Sequence, residues 1–324
     1  MGKGVDTADE LVRRSGGRFL VMTSAELEAL EIVPSTVARL VAAGRWQRLW
    51  RGVYLCAAHP TSALIRAHAA VKHAGPGAVV SGLAGASALG MRWVPEHTRV
   101  QVLVGPHVQR TSNEHVLLRR TWDVASVPTW QWGGLAVAEA PRLVVDGARE
   151  CTSLQDVRGL LLGAVADGHA SPDDLLALLD AGAVGGTAWA RRAVRDALRG
   201  AASPPEAEVA DALIGGRQPF VLNRDAFVGE LFVGRLDGYL MGTGVGWEVD
   251  SVERHGSSFD MSATLQRHER AARVLELVHV TPSAYRADPA DFHGRLAEAL
   301  IYRRESGLGE PIGLRLVGDT PVLR

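Results

Sequence analysis

A proline between two helical patterns, followed by a short alternating stretch, most constrains how the N-terminal part of this chain can fold. Thr23 and Glu26, in TSAELEAL, have the spacing of a capping box and predict a short helix that Pro34 prevents from continuing. STVARLVAAG predicts a second helix that ends at its glycine. RWQRLWRGVYL alternates and turns at its RG pair, as a small β-hairpin does. This order predicts a winged helix-turn-helix at residues 20–58, which we call the head.

Positive charge is concentrated in the head and just after it. The whole chain has 35 basic and 36 acidic residues, for a net charge of −1. Between Ile32 and Pro95, however, there is no Asp or Glu, and there are seven Arg or Lys residues. Such a segment suits the phosphates of double-stranded DNA, because each neutralised phosphate adds affinity through counterion release. The alternative is a solvated face whose counter-charges come from elsewhere in the fold.

The geometry of a winged helix selects candidate DNA-binding residues. Its second helix enters the major groove with its first residues toward base edges, and its hairpin lies against the backbone. The base-facing candidates are Ser35, Thr36 and Arg39, and the phosphate-binding candidates are Arg45, Arg48 and Arg51. Phosphate contacts position a protein without reading the DNA sequence. The aromatic residues of the hairpin, Trp46, Trp50 and Tyr54, are expected to pack in the wing and core rather than to stack on bases.

The words TSAELEAL, VPSTVARLVAAG and GRWQRLWRGVYL resemble the N-terminal domain of the AbiEi antitoxin family, over roughly residues 20–58. Members of that family are DNA-binding autorepressors of type IV toxin-antitoxin operons, and a nucleotidyltransferase toxin is their usual partner. The resemblance implies a DNA-binding transcriptional regulator, with that toxin as a further expected partner. Palindromic operators would imply a homodimer.

Residues 59–200 mix helical patterns with short strands and predict an α/β middle domain. TSALIRAHAAVKHAG, EAPRLVVDGARE, SLQDVRGLLLGAVADG and DDLLALLDA have helical periodicity, whereas VQVLVG is a strand pattern. No nucleotide-binding glycine motif is present in the sequence. Asp146 is expected to be an exposed acid on its helix, with a functional role as the alternative, and His68 and His73 are expected at the surface.

The cysteines and the hydropathy of the chain bear on its compartment. Cys56 and Cys151 lie far apart without a CxxC spacing, so neither a disulfide framework nor a zinc ribbon is indicated. The N-terminal sequence lacks the apolar stretch of a signal peptide, and the chain has no run of about 18 apolar residues. We therefore expect a cytoplasmic protein that does not associate with a membrane, with residues 1–19 flexible.

The charge balance reverses in the last part of the chain. Between Ser203 and Asp250 there are eight acidic and three basic residues. SPPEAEVADAL predicts a helix with proline near its start, and residues 220–251 read as strands joined by glycine turns. In WEVDS, Glu248 and Asp250 alternate with apolar residues, which places both carboxylates on one face of a strand.

The spacing of the glycines predicts which carboxylates meet. If GYLMGTGVGW forms a hairpin about its GT pair, residues that face each other have numbers that sum to 485, so Asp237 lies opposite Glu248. Their Cβ atoms would be about 4.5–5.5 Å apart. Mg²⁺ or Mn²⁺ held by these two carboxylates would relieve their repulsion, and it could activate water for attack on a phosphodiester. The alternative is a solvated hairpin that carries the acids without a metal.

The order of these words resembles the Vsr-like branch of the PD-(D/E)XK restriction-endonuclease-like fold, over roughly residues 203–303. The matching words are SPPE, LDGYL, WEVDS, a histidine four residues later, QRHERAARVLEL and VHVTPSAYRADP. The resemblance implies a catalytic set of Asp237, Glu248, Asp250 and Glu206. In that set Asp237 and Glu248 are metal ligands and Glu206 is an accessory ligand. Asp250 stands where the broader fold has its catalytic lysine.

This sequence departs from the Vsr-like pattern at several positions. Ser251 replaces the usual glycine, an acid expected near Gln266 and Arg267 is missing, and no lysine stands near the strand. His255 is a candidate base. A domain that has lost catalysis and kept its scaffold for binding nucleic acid or protein is therefore an alternative to an active nuclease.

Together these patterns predict a mixed α/β protein with a winged helix-turn-helix head and an α/β middle region. A restriction-endonuclease-like α/β domain at residues 203–310 and a tail at residues 311–324 complete the prediction. The first hypothesis is a DNA-binding regulator of the AbiEi type. The alternative is a Mg²⁺-dependent DNA endonuclease of defence or repair that the head directs to its target. A third hypothesis is a toxin-binding module whose acidic C-terminal part meets a basic partner.

Overall fold

The computed structural model describes Glu10 and residues 20–182, 184–250 and 274–324. The described residues form eleven helices and three sheets, which confirms a mixed α/β fold. The chain divides into two compact units, Met1–Ala190 and Arg191–Arg324, which are described separately below. The predicted flexible segment 1–19 lies outside the described residues apart from Glu10. Among the residues that the structure describes, no helix has the length and apolar character needed to cross a membrane.

The head contains the two helices and the hairpin that the sequence predicted, preceded by a strand that it did not. Its elements are β1 (Val21–Thr23), α1 (Ser24–Ala29), α2 (Pro34–Ala42), β2 (Gln47–Trp50) and β3 (Val53–Leu55). The three strands form an antiparallel sheet in the order β1-β3-β2. Thr23 caps α1 by accepting from the Glu26 N–H, and the Glu26 carboxylate accepts from the Thr23 N–H at 2.8 Å. The predicted capping box and the hairpin are therefore confirmed.

The head shares a hydrophobic core with the helix that follows it. Val21, Val53 and Leu55 from the small sheet pack with Ile65 and Ala69 of α3 (Ala63–Ala74). Burial of these side chains is the main force that holds the sheet, because a three-stranded sheet this short has little stability by itself. Residues 20–58 and the predicted middle region therefore belong to one compact unit.

A five-stranded sheet in the order β6-β5-β4-β8-β7 forms the centre of this unit. Its strands are β4 (Val79–Ser81), β5 (Val100–Val104), β6 (Val116–Arg120), β7 (Thr129–Trp132) and β8 (Leu135–Ala138). The helices are α4 (Gly82–Ala88), α5 (Ala140–Ala148), α6 (Leu154–Ala166) and α7 (Pro172–Ala181). The helical patterns at residues 139–181 thus predicted α5, α6 and α7 correctly.

The prediction for Asp146 was wrong, because this acid is fully buried. Its carboxylate accepts from the Ser81 hydroxyl at 2.8 Å and from Nε of Arg142 at 2.7 Å, and Nη1 of Arg149 lies 3.4 Å away. A buried carboxylate needs such partners, since an unpaired buried charge is costly. Asp146 therefore joins α5 to β4.

The second unit is built on another five-stranded sheet, in the order β12-β11-β10-β9-β13. Its strands are β9 (Phe220–Val228), β10 (Leu231–Leu240), β11 (Val245–Val249), β12 (Glu276–Val280) and β13 (Leu314–Val317). Its helices are α8 (Ala188–Leu198), which begins just before the boundary, α9 (Pro204–Leu213), α10 (Pro282–Ala287) and α11 (Pro289–Glu305). The β11–β12 pair is parallel, and the other pairs are antiparallel.

The predicted tail at residues 311–324 is part of this sheet. β13 pairs with β9, and Leu323 exchanges both backbone hydrogen bonds with Phe220. The alternation in LRLV was too short to be recognised as a strand from the sequence. Pairing with β9, about 90 residues earlier in the chain, gives it a place in the fold.

Candidate functional site

The second helix of the head has one buried face and one exposed face. Thr36 and Leu40 are one helical turn apart and are buried, whereas Ser35 and Arg39 are one turn apart and are exposed. The burial of Thr36 keeps its side chain from facing a base in this conformation. Ser35 and Arg39 are the exposed members of the predicted base-facing set.

The phosphate-binding candidates lie after α2 and along the hairpin, and all three are exposed. Arg45 precedes β2, Arg48 lies within β2, and Arg51 lies at the turn into β3. Within the described ranges, no carboxylate lies within 4.0 Å of Arg39, Arg48 or Arg51. These three guanidinium groups are exposed and have no described acid within ion-pair distance.

Two other cations of the basic segment are neutralised by acids from elsewhere in the fold. Lys72 forms an ion pair with Glu26, and Nε of Arg92 donates to Asp167 at 2.8 Å. The solvated-face alternative therefore accounts for these two residues. It does not account for Arg39, Arg48 and Arg51.

The aromatic residues of the hairpin pack within the protein, as predicted. Trp46 is buried in a cluster with Met22, Leu27 and other residues, and Tyr54 packs against this cluster. The Trp50 ring stacks on His115 with 5.2 Å between the ring centroids. These rings fix the position of the hairpin and of the arginines that it carries.

In the second unit, the hairpin between β10 and β11 has the predicted register. Gly238 pairs with Trp247, and Leu240 pairs with Val245, so paired residue numbers sum to 485. Continued by one residue, this register places Asp237 opposite Glu248. Oδ2 of Asp237 accepts from the Val249 N–H at 2.7 Å, and both acids are buried, with 7% and 8% of their surface exposed. The two predicted metal ligands therefore lie side by side in the centre of the sheet.

Asp250 continues this line of acids and meets a histidine that the sequence did not single out. Oδ2 of Asp250 lies 3.0 Å from Nδ1 of His279, and the Asp250 N–H donates to the Val280 carbonyl at 2.9 Å. His279 pairs with Glu248 in the parallel β11–β12 register. Its sequence context, VHVTP, has a strand pattern, but nothing in the sequence places that strand beside WEVDS.

Glu206 is buried, and one of its hydrogen bonds is to Asn223, which the β9–β10 register places opposite Asp237. Its carboxylate accepts from the Ser203 hydroxyl at 2.7 Å, the Ala202 N–H at 2.8 Å and the Asn223 amide. Among the residues that the structure describes, no three of His, Cys, Asp and Glu are grouped to hold a metal ion. These bonds hold Glu206 at the start of α9, and its role as an accessory metal ligand stays a prediction.

Other residues of the predicted nuclease pattern, Ser251, His255, Gln266 and Arg267, lie outside the described residues.

Gly238, next to Asp237, leaves room for a buried indole ring. A Cβ atom at position 238 would lie 1.9 Å from Cζ2 of Trp247, whose side chain is fully buried. We expect Gly238→Ala to destabilise this unit by about 3 kcal/mol, because the added methyl overpacks the core. Hydrogen exchange of β10 amides would measure the loss.

Gly294→Ala is the matched control for this prediction. Gly294 lies within α11, and a Cβ atom there would meet nothing within 4 Å. Alanine at this position should stabilise the helix by roughly 0.5–1 kcal/mol. Equal exchange rates in the two variants would show that Trp247 does not require glycine at position 238.

No protein-family model matches the chain, and no curated protein matches it. Among solved structures, the chain is similar to the RV2827C protein from Mycobacterium tuberculosis, with 18% sequence identity and a TM-score of 0.44. The match covers 60% of this chain and 77% of that protein. Similarity at this level establishes neither a common function nor a common site.

Proposed function

We propose that this protein is a DNA-binding transcriptional regulator whose head contacts double-stranded DNA. The observation that carries the proposal is the position of Arg39, Arg48 and Arg51, exposed on α2 and the β2–β3 hairpin without a described carboxylate partner. Guanidinium groups bind phosphate oxygens in bidentate geometry and release counterions when they do so.

The two parts of the head would have different roles in this complex. Ser35 and Arg39 on the exposed face of α2 would reach base edges, while Arg45, Arg48 and Arg51 would hold the backbone. Phosphate contacts would supply most of the affinity, and contacts from α2 would supply the sequence preference. Packing of Trp50 on His115 supports this division, since it holds the hairpin against the rest of the unit.

The double variant Arg48→Ala/Arg51→Ala tests this proposal. If each arginine neutralises one phosphate, the slope of log K against log salt concentration should become shallower by about 1.8. Affinity for promoter DNA and for random-sequence duplex should fall together, because phosphate contacts carry no sequence information. Fluorescence anisotropy across a salt series measures both quantities.

Arg304→Ala, which removes an exposed arginine of α11, is the matched control and should leave the slope unchanged. If the double variant and the wild type have the same slope, the proposal that the head is the DNA-binding surface is rejected.

The partners of this regulator follow from the AbiEi resemblance of the head. We propose that it works in the cytoplasm as a homodimer on a palindromic operator, with a nucleotidyltransferase toxin as its protein partner. The acidic composition of residues 203–250 suits a basic partner surface. Co-purification with the product of a neighbouring gene would measure the toxin interaction.

A second candidate function, Mg²⁺-dependent DNA cleavage, is favoured by one observation in the second unit. The order α9, β9, β10, β11 and then a parallel β12 agrees with the restriction-endonuclease-like fold that the sequence resembles. Asp237 and Glu248 would hold Mg²⁺ or Mn²⁺, since hard cations take one or two carboxylates plus water and substrate oxygens. Bound there, the metal would activate water and offset charge on the phosphodiester. Asp250, held by His279, would lie beside the metal ligands.

A further inference from the structure

A cavity of about 560 Å³ lies in the first unit, between α3, α4, the loop before β5 and the end of β7. The polar and aromatic side chains that line it include Arg66, Glu96, His97, Arg99 and Trp132. Its size falls within the range of roughly 300–1,000 Å³ that is typical of small-molecule sites. Neither the head arginines nor the carboxylates of the second unit belong to it.

The walls of the cavity are held together by direct contacts. Nε2 of His68 on α3 lies 3.0 Å from the carbonyl oxygen of Gly133, the residue that follows Trp132. A Cβ atom on Gly133 would lie 2.7 Å from Leu64 of the same helix, so only glycine allows this approach. The Trp132 ring and Arg66 are therefore presented by two elements in close contact, and the cavity is formed before any ligand enters.

The charge of the lining favours an anion. Arg66 and Arg99 are both exposed, and no described carboxylate lies within 4.0 Å of either guanidinium. Burial raises the pKa of nearby Glu150 to about 7, although the hydrogen bond from the Leu83 N–H and the charges of Arg119 and Arg99 oppose the rise. Part of that acid is therefore uncharged at neutral pH. Glu96 is the one acid among the lining residues, against two arginines.

The lining also offers a surface for a planar group. The half-buried Trp132 indole can stack on a flat ring, and indole rings are favoured partners for flat apolar and cationic groups. His97 is oriented by a contact of 3.1 Å between Nδ1 and the Pro95 carbonyl oxygen. If Nδ1 carries the proton in this contact, Nε2 is an acceptor for a ligand donor.

We propose that this cavity binds a small planar organic anion, with the ring against Trp132 and the phosphate or carboxylate group bound by Arg66 and Arg99. Binding there would change the DNA affinity of the head, and this second part rests on the proposed function. The connection is α3 itself. Arg66 lines the cavity, while the adjacent Ile65 packs with Val53 and Leu55 of the head sheet.

Isothermal titration calorimetry on the full chain tests the site without DNA. The probes are adenosine monophosphate and salicylate, which separate a phosphate from a carboxylate, with adenosine and inorganic phosphate as half-ligands. We expect one planar anion to bind and both half-ligands to bind at least tenfold more weakly. Absence of binding by both planar anions at millimolar concentration overturns the proposal. If inorganic phosphate binds as tightly as the planar anion, the claim that the site requires a planar ring is overturned.

Variants locate the binding in the cavity. Arg99→Ala should weaken binding of the planar anion at least tenfold, and Trp132→Leu should weaken it several-fold. Arg110 is an exposed arginine outside the lining, so Arg110→Ala should bind the anion as the wild type does. Because Arg99 is exposed, its loss should leave the thermal unfolding profile unchanged. Binding that survives Arg99→Ala and Trp132→Leu places the ligand elsewhere and refutes the site.

DNA anisotropy with saturating ligand tests the connection to the head. A severalfold change in DNA affinity that disappears in Arg99→Ala supports it, and an unchanged affinity with intact ligand binding overturns it. If the wild type binds no DNA at all, the proposed function fails. The cavity is then judged by calorimetry alone.

Discussion

Asp146→Ala is expected to destabilise the first unit by about 3–5 kcal/mol. The carboxylate has no exposed surface and sits between Ser81, Arg142 and Arg149, so its removal leaves charge behind rather than only a small cavity. The loss of Asp146 would cost more free energy at Arg149 than at Arg142, because only 14% of the Arg149 side chain is exposed, whereas Arg142 can turn toward solvent. Breaking one partner out of a buried ion pair typically costs this much.

Hydrogen exchange measures this loss for one unit at a time. Protection of α5 amides should fall by about two to nearly four orders of magnitude, since about 1.4 kcal/mol corresponds to a factor of ten. Amides of α11, in the other unit, provide an internal reference. Asp173→Ala removes an exposed acid from the first turn of α7 and should cost less than about 1 kcal/mol. A similar loss in both variants would mean that the Asp146 network contributes little.

The reason why Asp146 was misjudged from the sequence is long-range pairing. LVVDGARE contains a single acid in a helical pattern, which usually lies on the solvent face. Its hydroxyl partner, Ser81, comes from a strand 65 residues earlier, and nothing in the local pattern connects the two. The burial of Glu206 beside Asn223 was missed for the same reason.

The Asp237–Glu248 neighbourhood could be predicted because it depends on local geometry alone. Once the turn of the β10–β11 hairpin is fixed by its glycines, the register of every later pair follows. Gly242 and Gly244 both have positive φ angles, 75° and 74°, which glycine adopts without strain. The capping box of α1 and the α2 boundaries were predictable on similar grounds. The position of β12 beside β11 requires a crossover, so the Asp250–His279 contact could not be predicted from local geometry.

The head illustrates a limit of helical periodicity. The pattern in STVARLVAAG identified α2, but it did not show that Thr36 belongs to the buried stripe with Leu40. Threonine is compatible with either face, because its methyl group packs well and its hydroxyl can bond to the helix backbone. Packing against the rest of the head decides which face threonine takes. Those packing partners are brought together only in the folded chain.

Glu248→Ala is expected to abolish cleavage of supercoiled plasmid in Mg²⁺ or Mn²⁺, on the proposal that the second unit is an endonuclease. Loss of one of two adjacent carboxylates removes half of the protein ligands for the metal, and the remaining Asp237 is too weak a site to hold it against phosphate. Cleavage should fall to background. Glu248→Gln keeps the shape of the buried side chain and should lose cleavage as Glu248→Ala does. The glutamine variant therefore separates an effect on metal binding from an effect on folding.

Glu230→Ala is the control for the loss of an acid. Glu230 is fully exposed in the β9–β10 turn, so this variant should cleave as the wild type does. Calorimetry with Mn²⁺ alone provides a second readout, in which the two Glu248 variants should bind at least tenfold more weakly. If the wild type neither binds Mn²⁺ nor cuts, yet shifts promoter DNA as strongly as the Glu248 variants do, the endonuclease proposal is rejected. Asp237 and Glu248 would then be buried carboxylates retained by a DNA-binding scaffold, and the arginines of the head would carry the function.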